Sequence, residues 1–201
     1  FAVMLRLQEQ HQRGPKLYSW HAPEVECIGK GKPQTPWEFG VKVSLVTTNK
    51  RCKGGQVVLH AKALPGAPYD GHTLKDVLAE TSALTGREIE RAYTDKGYRG
   101  HDADNPRRVF ISGQKRGVHG QIKSELRRRS AIEPVIGHLK SGGSMDRNFL
   151  KGRPGDRANP ILAATGPNLR LVLRWLRILL RLIRAAISAA ITPPSAKNPA
   201  I

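Results

Sequence analysis

The sequence predicts a mixed α/β fold in which a sheet is flanked by helices. Two observations favour this class. An early pair of segments has the pattern of a β-hairpin, and the later part of the chain alternates short strand patterns with helical ones. At 201 residues, the chain is also long enough for one ordinary domain with a sizeable core.

The first 36 residues are predicted to be the end of a helix and a turn-rich segment. Residues 1–17 have the pattern of a helix tail that ends at Gly14-Pro15. Residues 18–36 are rich in turn formers, which are Pro23, Gly29, Gly31, Pro33 and Pro36. We therefore expect a helix end followed by a linker.

The predicted hairpin follows directly. Residues 37–46 alternate apolar side chains with polar or small ones, which is the pattern of a half-buried strand. The polar, glycine-containing segment 49–55 supplies a turn, and residues 56–61 are predicted to be the partner strand. Two prolines and a glycine within residues 64–68 end that strand.

The middle of the chain is predicted to alternate helix and strand. A helix from Thr73 to the stop at Gly86 is indicated by apolar residues that recur at helical spacing. Short strands are predicted at residues 90–95 and 109–112, and a second helix at 121–140, where apolar residues lie among many basic ones. This order predicts that all four strands share one mixed sheet.

The C-terminal part is predicted to be a loop, a helix and a tail. Residues 141–160 are rich in Gly, Pro and Asp, residues 168–191 are helical, and the Pro-rich tail 192–201 is disordered. Five arginines at spacings of three and four form one stripe of the helix: Arg170, Arg174, Arg177, Arg181 and Arg184. Leucines and isoleucines cover most of the remainder, so we predict a basic amphipathic helix. We favour packing on the core over a membrane-surface role.

The charge balance indicates a polyanionic partner. Lys and Arg number 34 and Asp and Glu 16, which gives a formal net charge of +18. Nucleic acid is the first expectation and an acidic membrane surface the second. The hydrophobic fraction of 39% is too high for a wholly disordered basic tail. Cys27 and Cys52 lack CxxC spacing, which disfavours a zinc ribbon.

Two carboxylates stand out against this basic background. Asp95 closes the predicted strand 90–95, and functional groups collect at the carboxyl ends of strands in α/β sheets. Glu133 lies at the edge of the apolar face of the predicted helix 121–140. Each alone fits a structural role equally well, as a turn-forming Asp and as a solvated Glu paired with an arginine. Together they predict a Mg²⁺ site to which basic residues bring a phosphodiester.

Four blocks of sequence resemble bacterial insertion-sequence transposases of the DDE class. They are HAPEVECIGKGK at 21–32, YDGHTL at 69–74, AYTDKGYRG at 92–100 and RRRSAIEPVIGHLK at 127–140. The resemblance covers about residues 17–180, with the blocks in one order. It implies an RNase H-like mixed sheet flanked by helices, and homo-oligomers of the full-length parent.

The resemblance implies the roles of several residues. Asp95 and Glu133 match the second and third acids of a triad that binds Mg²⁺ or Mn²⁺, and they are the expected catalytic and metal-binding residues. Arg129, Glu133 and Lys140 fit the family's helix signature, although Leu126 replaces its tyrosine. Contacts to the DNA of transposon ends and target are expected from a larger basic set: Arg129, Lys140, Arg127, Arg128, Lys115 and Arg116.

The first acid of the triad has no counterpart in this sequence. None of Glu9, Glu24, Glu26 and Asp70 matches its position, and the predicted strand order lacks the first strand of the RNase H-like sheet. We therefore expect the C-terminal portion of a transposase, N-terminally truncated and inactive. Its expected location is the bacterial cytoplasm, in association with the nucleoid.

These expectations divide the chain into four parts. Residues 1–36 are the end of a helical insertion and a linker, 37–141 a partial RNase H-like catalytic core, 142–191 a loop and the C-terminal helix, and 192–201 the tail. The alternative function is a non-catalytic basic protein that binds nucleic acid. The third candidate function is a membrane-surface protein that uses residues 168–191. For the favoured function we expect no membrane partner.

Overall fold

A computed structural model describes residues 16–30, 33–50 and 52–191. The helix tail predicted to end at Gly14-Pro15 and the disordered tail predicted for residues 192–201 lie outside this part. Within it, the elements alternate in a mixed α/β order. They are β1 (Glu26–Gly29), β2 (Trp37–Gly40), β3 (Lys42–Thr47), β4 (Val58–Leu64), α1 (Leu74–Thr85), β5 (Ala92–Thr94), β6 (Val109–Ile111), α2 (Gly120–Arg128), α3 (Ile132–Ser141) and α4 (Gly152–Ile191).

The segment predicted to be one strand at 37–46 is two strands. β2 ends at Gly40, whose φ of 137° is a conformation that suits glycine, and β3 begins two residues later. β2 pairs antiparallel with β1, and Cys27 lies opposite Phe39. The turn-rich segment predicted at 18–36 therefore also contains a strand, which was missed because the four residues of β1 are too few to show an alternating pattern.

The predicted hairpin is confirmed as β3 and β4. The two strands are antiparallel, with Leu45 opposite Ala61 and an irregularity between Val46 and Thr47. β4 starts and ends later than predicted and reaches Leu64, the residue before Pro65. Proline cannot continue the ladder, so the strand ends where the sequence first offers one.

The expectation of one shared sheet is not met. The described strands form three two-stranded sheets, β1 with β2, β3 with β4 and β5 with β6. β5 and β6 are parallel, and the rings of Tyr93 and Phe110 stack across them at 5.5 Å. A large groove separates β3 from β5, so no main-chain ladder joins the two halves.

Helices lie on both faces of the β3–β4 hairpin. Alternate side chains of a strand point to opposite faces. His60 and Lys62 meet Glu80 of α1, where His60 Nε2 lies 3.0 Å from Glu80 Oε2. Leu45 and Ala61 point the other way and belong to the cluster around Leu139 of α3, which is fully buried. The molecule is therefore mixed α/β with helices flanking a small sheet, as the sequence predicted.

Helix α1 has the predicted ends, whereas the second predicted helix is divided. A 3₁₀ turn, Asp70–Thr73, leads into α1, and Gly86 ends it with a left-handed φ of 62°. Between α2 and α3 the chain forms another 3₁₀ turn, Arg129–Ala131. Pro134 explains the division, because its ring lacks an N–H and clashes with the carbonyl four residues earlier in a continuous helix.

Helix α4 starts much earlier than predicted. It covers 40 residues from Gly152, so the loop predicted at 141–160 is confirmed only over residues 142–151, and its second half is helical. Pro154 lies in the first turn, where a missing N–H costs nothing. Pro160 is almost completely buried, and Asn168 binds both backbone groups of Val58, at 2.9 and 2.7 Å. These tertiary contacts keep the segment helical despite its prolines.

The second half of α4 does not pack on the core as predicted. Leu171 is buried, but both the leucines and the arginines that follow are almost all exposed. Arg174 and Trp175 donate hydrogen bonds to the carbonyls of Gly54 and Lys53, at 3.1 and 3.0 Å. Across the described ranges, no helix combines the length and the apolar character that a membrane span requires.

Candidate functional site

The two acids singled out in the sequence line the same space. A groove of about 820 Å³ lies between β3 and β5 and is closed on its sides by α1 and α3. We call it the central groove. Asp95 and Glu133 both line it, together with Arg129, Lys140 and a further acid, Asp70. The fold thus brings together side chains from three separate blocks of sequence.

Asp95 is held at the end of β5 by its own turn. It caps the short 3₁₀ turn Lys96–Tyr98, and its Oδ1 accepts a hydrogen bond from the backbone N–H of Gly97 at 2.9 Å. The residue is exposed to solvent. The turn-forming role and the site role considered for Asp95 are therefore compatible, because the second carboxylate oxygen is not used by this cap.

Asp70 is a neighbour of Asp95 that was not expected at the site from the sequence. Gly97 lies between them, since a Cβ on it would come within 2.8 Å of Asp70 Oδ2 and 3.1 Å of Asp95 Oδ1. Lys42 Nζ lies 2.7 Å from Asp70 Oδ1 and balances one of the two charges. Asp70 belongs to the block at 69–74, but its distance from Asp95 in sequence gave no signal of this contact.

Tyr98 lies beside these acids. Its side chain shares a hydrogen bond with Ser44 of β3. Burial, followed by the negative charge of Asp70, raises the pKa of the Tyr98 hydroxyl to about 12. The hydroxyl therefore stays protonated at neutral pH and is available as a hydrogen-bond donor at this end of the groove.

Glu133 is on the other wall of the central groove. It lies in the first turn of α3, its side chain is 68% exposed, and its nearest cation is Arg129, 3.6 Å away. The pair is the solvated Glu–Arg contact that the sequence offered as the structural alternative. Such an exposed pair contributes little to stability, so it leaves Glu133 able to change partners.

The side chain of Lys140, in α3, contacts Glu38 of β2. Its Nζ lies 2.7 Å from Glu38 Oε1, and Lys30 binds the other carboxylate oxygen. Burial alone would raise the pKa of Glu38, but the hydrogen bonds from the two lysines outweigh it and lower that pKa. The charge of Lys140 is thus partly neutralised inside the protein.

A second, smaller cavity carries only positive charge. It has a volume of about 480 Å³ and lies between the turn after β6 and helix α2. We call it the basic cavity. All of its ionisable lining side chains are basic: Lys115, Lys123, Arg127 and Arg129. Lys123 was missed in the sequence because nothing marked it among many basic residues.

Arg129 joins the two spaces, because it lines both the central groove and the basic cavity. The remaining predicted DNA contacts, Arg116 and Arg128, line neither. Arg116 is exposed and Arg128 is half-buried. The structure therefore gathers four of the six predicted basic residues at the two spaces and leaves two outside them.

Glu125 fixes the position of α2 against β5. Its carboxylate accepts hydrogen bonds from Arg91, Gln121 and the Tyr93 hydroxyl, with 3.0 Å to Arg91 Nε and 2.6 Å to Gln121. Burial would raise the pKa of Glu125, and these hydrogen bonds together lower it. Asn49 donates to the Glu125 carbonyl at 2.8 Å, which ties β3 to the same point. This role was not foreseen from the sequence.

Two acids that line the groove have the chemistry of divalent-cation ligands. Asp95 and Glu133 offer carboxylate oxygens, the donors that Mg²⁺ and Mn²⁺ prefer. In the described part of the chain, no cluster of three or more His, Cys, Asp or Glu side chains has the geometry to hold a metal ion.

Comparisons of the chain with protein-family models, with curated proteins and with solved structures give no match. The resemblance to DDE-class transposases therefore stays a prediction that depends on the four sequence blocks alone.

Proposed function

We propose that this chain is the DNA-binding and acid-bearing portion of a DDE-class transposase. One observation carries the proposal: Asp95 and Glu133, distant in sequence, line one groove, and Arg129 connects that groove to the basic cavity. A site for phosphodiester chemistry needs both features, carboxylates at the reacting phosphate and cations along the strand that leads to it.

The basic cavity holds the DNA backbone in this proposal. Lys115, Lys123 and Arg127 bind phosphate oxygens through charge-assisted hydrogen bonds. Arg129 then orients the strand so that the next phosphate enters the groove near Asp95. Holding a reacting group in the correct place contributes much of the rate in such reactions, and a misplacement of about 1 Å costs roughly 10²-fold.

Asp95 and Glu133 would hold the divalent ion through their carboxylate oxygens. When bound, a divalent ion supplies an activated water or hydroxyl nucleophile and charge stabilisation at the leaving oxygen. Glu133 exchanges its contact with Arg129 for this role, which leaves the Arg129 guanidinium free for phosphate. With only two of the three acids of such a site, we propose that the isolated chain binds DNA and does not cut it.

A second candidate is a basic nucleic-acid-binding protein without catalysis. It is favoured by the lack of a three-residue metal cluster in the described ranges and by the contact of the exposed Glu133 with the half-buried Arg129. Both candidates predict salt-sensitive DNA binding. They differ in whether a divalent ion changes that binding through Asp95 and Glu133.

The test is binding of a short fluorescent DNA duplex, measured by anisotropy over a range of salt with Mg²⁺, Mn²⁺ or chelator. The logarithm of affinity should fall linearly with the logarithm of salt concentration. Lys115→Gln with Lys123→Gln should reduce the slope by about 0.9 for each phosphate that the protein then fails to neutralise. Arg87→Gln is the matched control, because Arg87 is exposed and lines neither space.

Divalent-ion dependence separates the two candidates. In the transposase proposal, Mn²⁺ strengthens DNA binding of the native chain but not of Asp95→Asn or Glu133→Gln, and supercoiled plasmid stays intact throughout. Equal response of all three proteins to Mn²⁺ supports the non-catalytic binder. If Lys115→Gln with Lys123→Gln leaves the salt dependence of DNA affinity unchanged, the proposal that DNA passes through the basic cavity is contradicted.

A further inference from the structure

The last part of helix α4 extends past its contacts with the β3–β4 hairpin. Trp175 donates a hydrogen bond to the Lys53 carbonyl in the turn of that hairpin. We call residues 176–191 the terminal segment, which at about 1.5 Å per residue is about 24 Å long. Ile178 is half-buried there, and every other residue is exposed. The sequence favoured packing of this helix on the core over a membrane-surface role, and the structure does not show that packing.

One side of the terminal segment carries only positive charge. Successive helical residues are turned by about 100°, so Arg177, Arg181 and Arg184 lie within an arc of about 60°. Asp156 is the last acid of the sequence, about 30 Å along the helix axis from Arg177. Among the ion pairs of the described residues, none involves these three arginines. The stripe therefore has its charge available for an anionic partner.

The rest of the terminal segment is apolar. Leucine, isoleucine and alanine side chains occupy the remaining arc of about 240° at the same turn per residue. The large side chains that are 47–75% exposed are Leu176, Leu179, Leu180, Leu182, Ile183, Ile187 and Ile191. A continuous apolar surface of this kind on a folded protein marks a site of interaction.

The width of the apolar arc favours one kind of partner. A helix that pairs with one other helix buries only a narrow seam, so most of an arc of about 240° stays in water. A second copy of the chain also brings the same arginine stripe and a net charge of +18, which opposes close approach. Nucleic acid pairs with the arginines but leaves the leucines in water. A lipid surface satisfies both, because acyl chains surround the apolar arc while headgroup phosphates contact the arginines.

We propose that the terminal segment of α4 binds the surface of a bilayer that contains anionic lipids. The segment lies in the plane of the interface, with its leucines and isoleucines among the acyl chains and its arginines paired with lipid phosphates. It does not cross the bilayer, because a crossing helix would place Arg177, Arg181 and Arg184 in the hydrocarbon core. Trp175, 38% exposed just before the segment, is the type of side chain that occupies the boundary between headgroups and acyl chains.

Membrane binding of this kind does not depend on the proposed function, since it needs neither the acids of the central groove nor DNA. The residues that line the central groove and the basic cavity all precede the terminal segment. For this surface of the molecule, lipid binding replaces the expectation, drawn from the sequence, that the chain has no membrane partner.

The test is flotation of the full chain with vesicles of phosphatidylcholine, with or without phosphatidylglycerol as the minor lipid. Arg177→Gln with Arg181→Gln and Arg184→Gln should weaken binding to the anionic vesicles roughly 10²-fold, since each basic residue at such a surface contributes about fivefold. At about 0.15 M salt, charges more than about 8 Å from the lipid are screened. A control that removes the same charge from exposed arginines elsewhere should therefore bind within about threefold of the native chain. It is Arg87→Gln with Arg107→Gln and Arg157→Gln.

A second pair of variants separates an inserted helix from the general attraction of a basic chain to anionic lipid. Leu179→Gln with Ile183→Gln keeps every charge and should weaken binding by about tenfold or more, because less apolar surface then leaves water. Leu84→Gln with Phe149→Gln is the matched control, since these side chains are 70% and 79% exposed and lie outside α4, and it should bind like the native chain. Binding that survives the changes at Leu179 and Ile183 overturns the proposal.

Hydrogen exchange of the native chain tests the same surface without any variant. Anionic vesicles should slow exchange of the amides of residues 176–191 and leave those of α1 unchanged. Equal binding to vesicles with and without phosphatidylglycerol overturns the proposal. A dimer in solution that Leu179→Gln with Ile183→Gln converts to a monomer also overturns it, because a second copy then covers the helix. So does a DNA duplex that displaces the native chain from vesicles and fails to bind the variant with three arginines replaced.

Discussion

Tyr98 lines the central groove, and its raised pKa also makes the stability of the fold depend on pH. Its hydroxyl contacts Ser44, and burial followed by the charge of Asp70 raises its pKa to about 12. In an unfolded chain the pKa of tyrosine is near 10. The folded state therefore holds this proton more tightly than the unfolded state, and the fold is stabilised while both states remain protonated.

The first prediction concerns the pH dependence that follows. Below pH 10 the stabilisation from Tyr98 is complete, and between pH 10 and about 12 it is lost as the unfolded chain releases the proton first. Across this window Tyr98 should account for a fall of about 2 kcal/mol in the free energy of unfolding. Tyr98→Phe should show a correspondingly smaller fall in urea denaturation at each pH. Identical pH profiles for the two proteins would contradict the assignment.

The second prediction contrasts two glycines of the same region. Gly137, in α3, has no atom within 4 Å of where a Cβ would lie, so Gly137→Ala should raise the free energy of unfolding by about 0.5–1 kcal/mol. A Cβ on Gly143 would lie 2.7 Å from the Leu139 carbonyl and 3.2 Å from that of Ala163. Gly143→Ala should therefore destabilise, since backbone must move. Urea denaturation of both variants checks the opposite signs.

At the level of elements, α3 is the helix on which the core depends most. Leu139 is fully buried and packs with Val58 of β4 and Ala164 of α4. One side chain therefore joins a strand and two helices. The same helix also carries Glu133 and Lys140, which line the central groove, so one element contributes to both the core and the candidate site.

The third prediction measures that packing. Leu139→Ala should lower the free energy of unfolding by about 2–5 kcal/mol, because it removes buried methyl groups and leaves a cavity. Leu162→Ala is the matched control, since Leu162 of α4 is 61% exposed and its truncation should cost less than about 0.5 kcal/mol. Similar destabilisation of the two variants would show that α3 is not packed as described.

Across the whole molecule, two features leave apolar side chains accessible to solvent within the described residues. The first is the central groove, which divides the strands into separate sheets. The second is the end of α4, where exposed leucines and isoleucines follow Leu171. The groove is not separate from the small core, because Leu45 and Met145 of its lining pack against the cluster around Leu139.

The fourth prediction concerns the end of α4. Removal of residues 177–191 should change the Tm by less than about 2 °C, because these side chains are almost all exposed and lie beyond the last buried position. Removal from residue 167 onward should unfold or strongly destabilise the protein, since it also deletes Asn168 and Leu171. Calorimetry compares the two truncations. A large decrease in Tm from the shorter one would show that the end of α4 supports the fold.

The sequence by itself determined the elements whose signal is local. The β3–β4 hairpin, helix α1 with its Gly86 stop, and the strands before Asp95 and Gly113 follow from alternation, helical spacing and turn residues. Asp95 also stood out as a candidate, because a carboxylate at a strand end is conspicuous in a chain of charge +18, but the roles of Asp95, Glu133 and the basic residues stay predictions. The transposase assignment stays a prediction that the DNA-binding and divalent-ion experiments test.

Tertiary structure decided what depends on contacts between distant residues. Pro160 and Pro167 predict a break, yet burial of Pro160 and the Asn168–Val58 hydrogen bonds keep α4 continuous. The approach of Asp70 to Asp95 and the anchoring of α2 by Glu125 likewise leave no trace in local patterns. The division into three sheets could not be predicted locally either, because strand pairing depends on which strand edges meet in space. The edges of β3 and β5 face the central groove instead of each other.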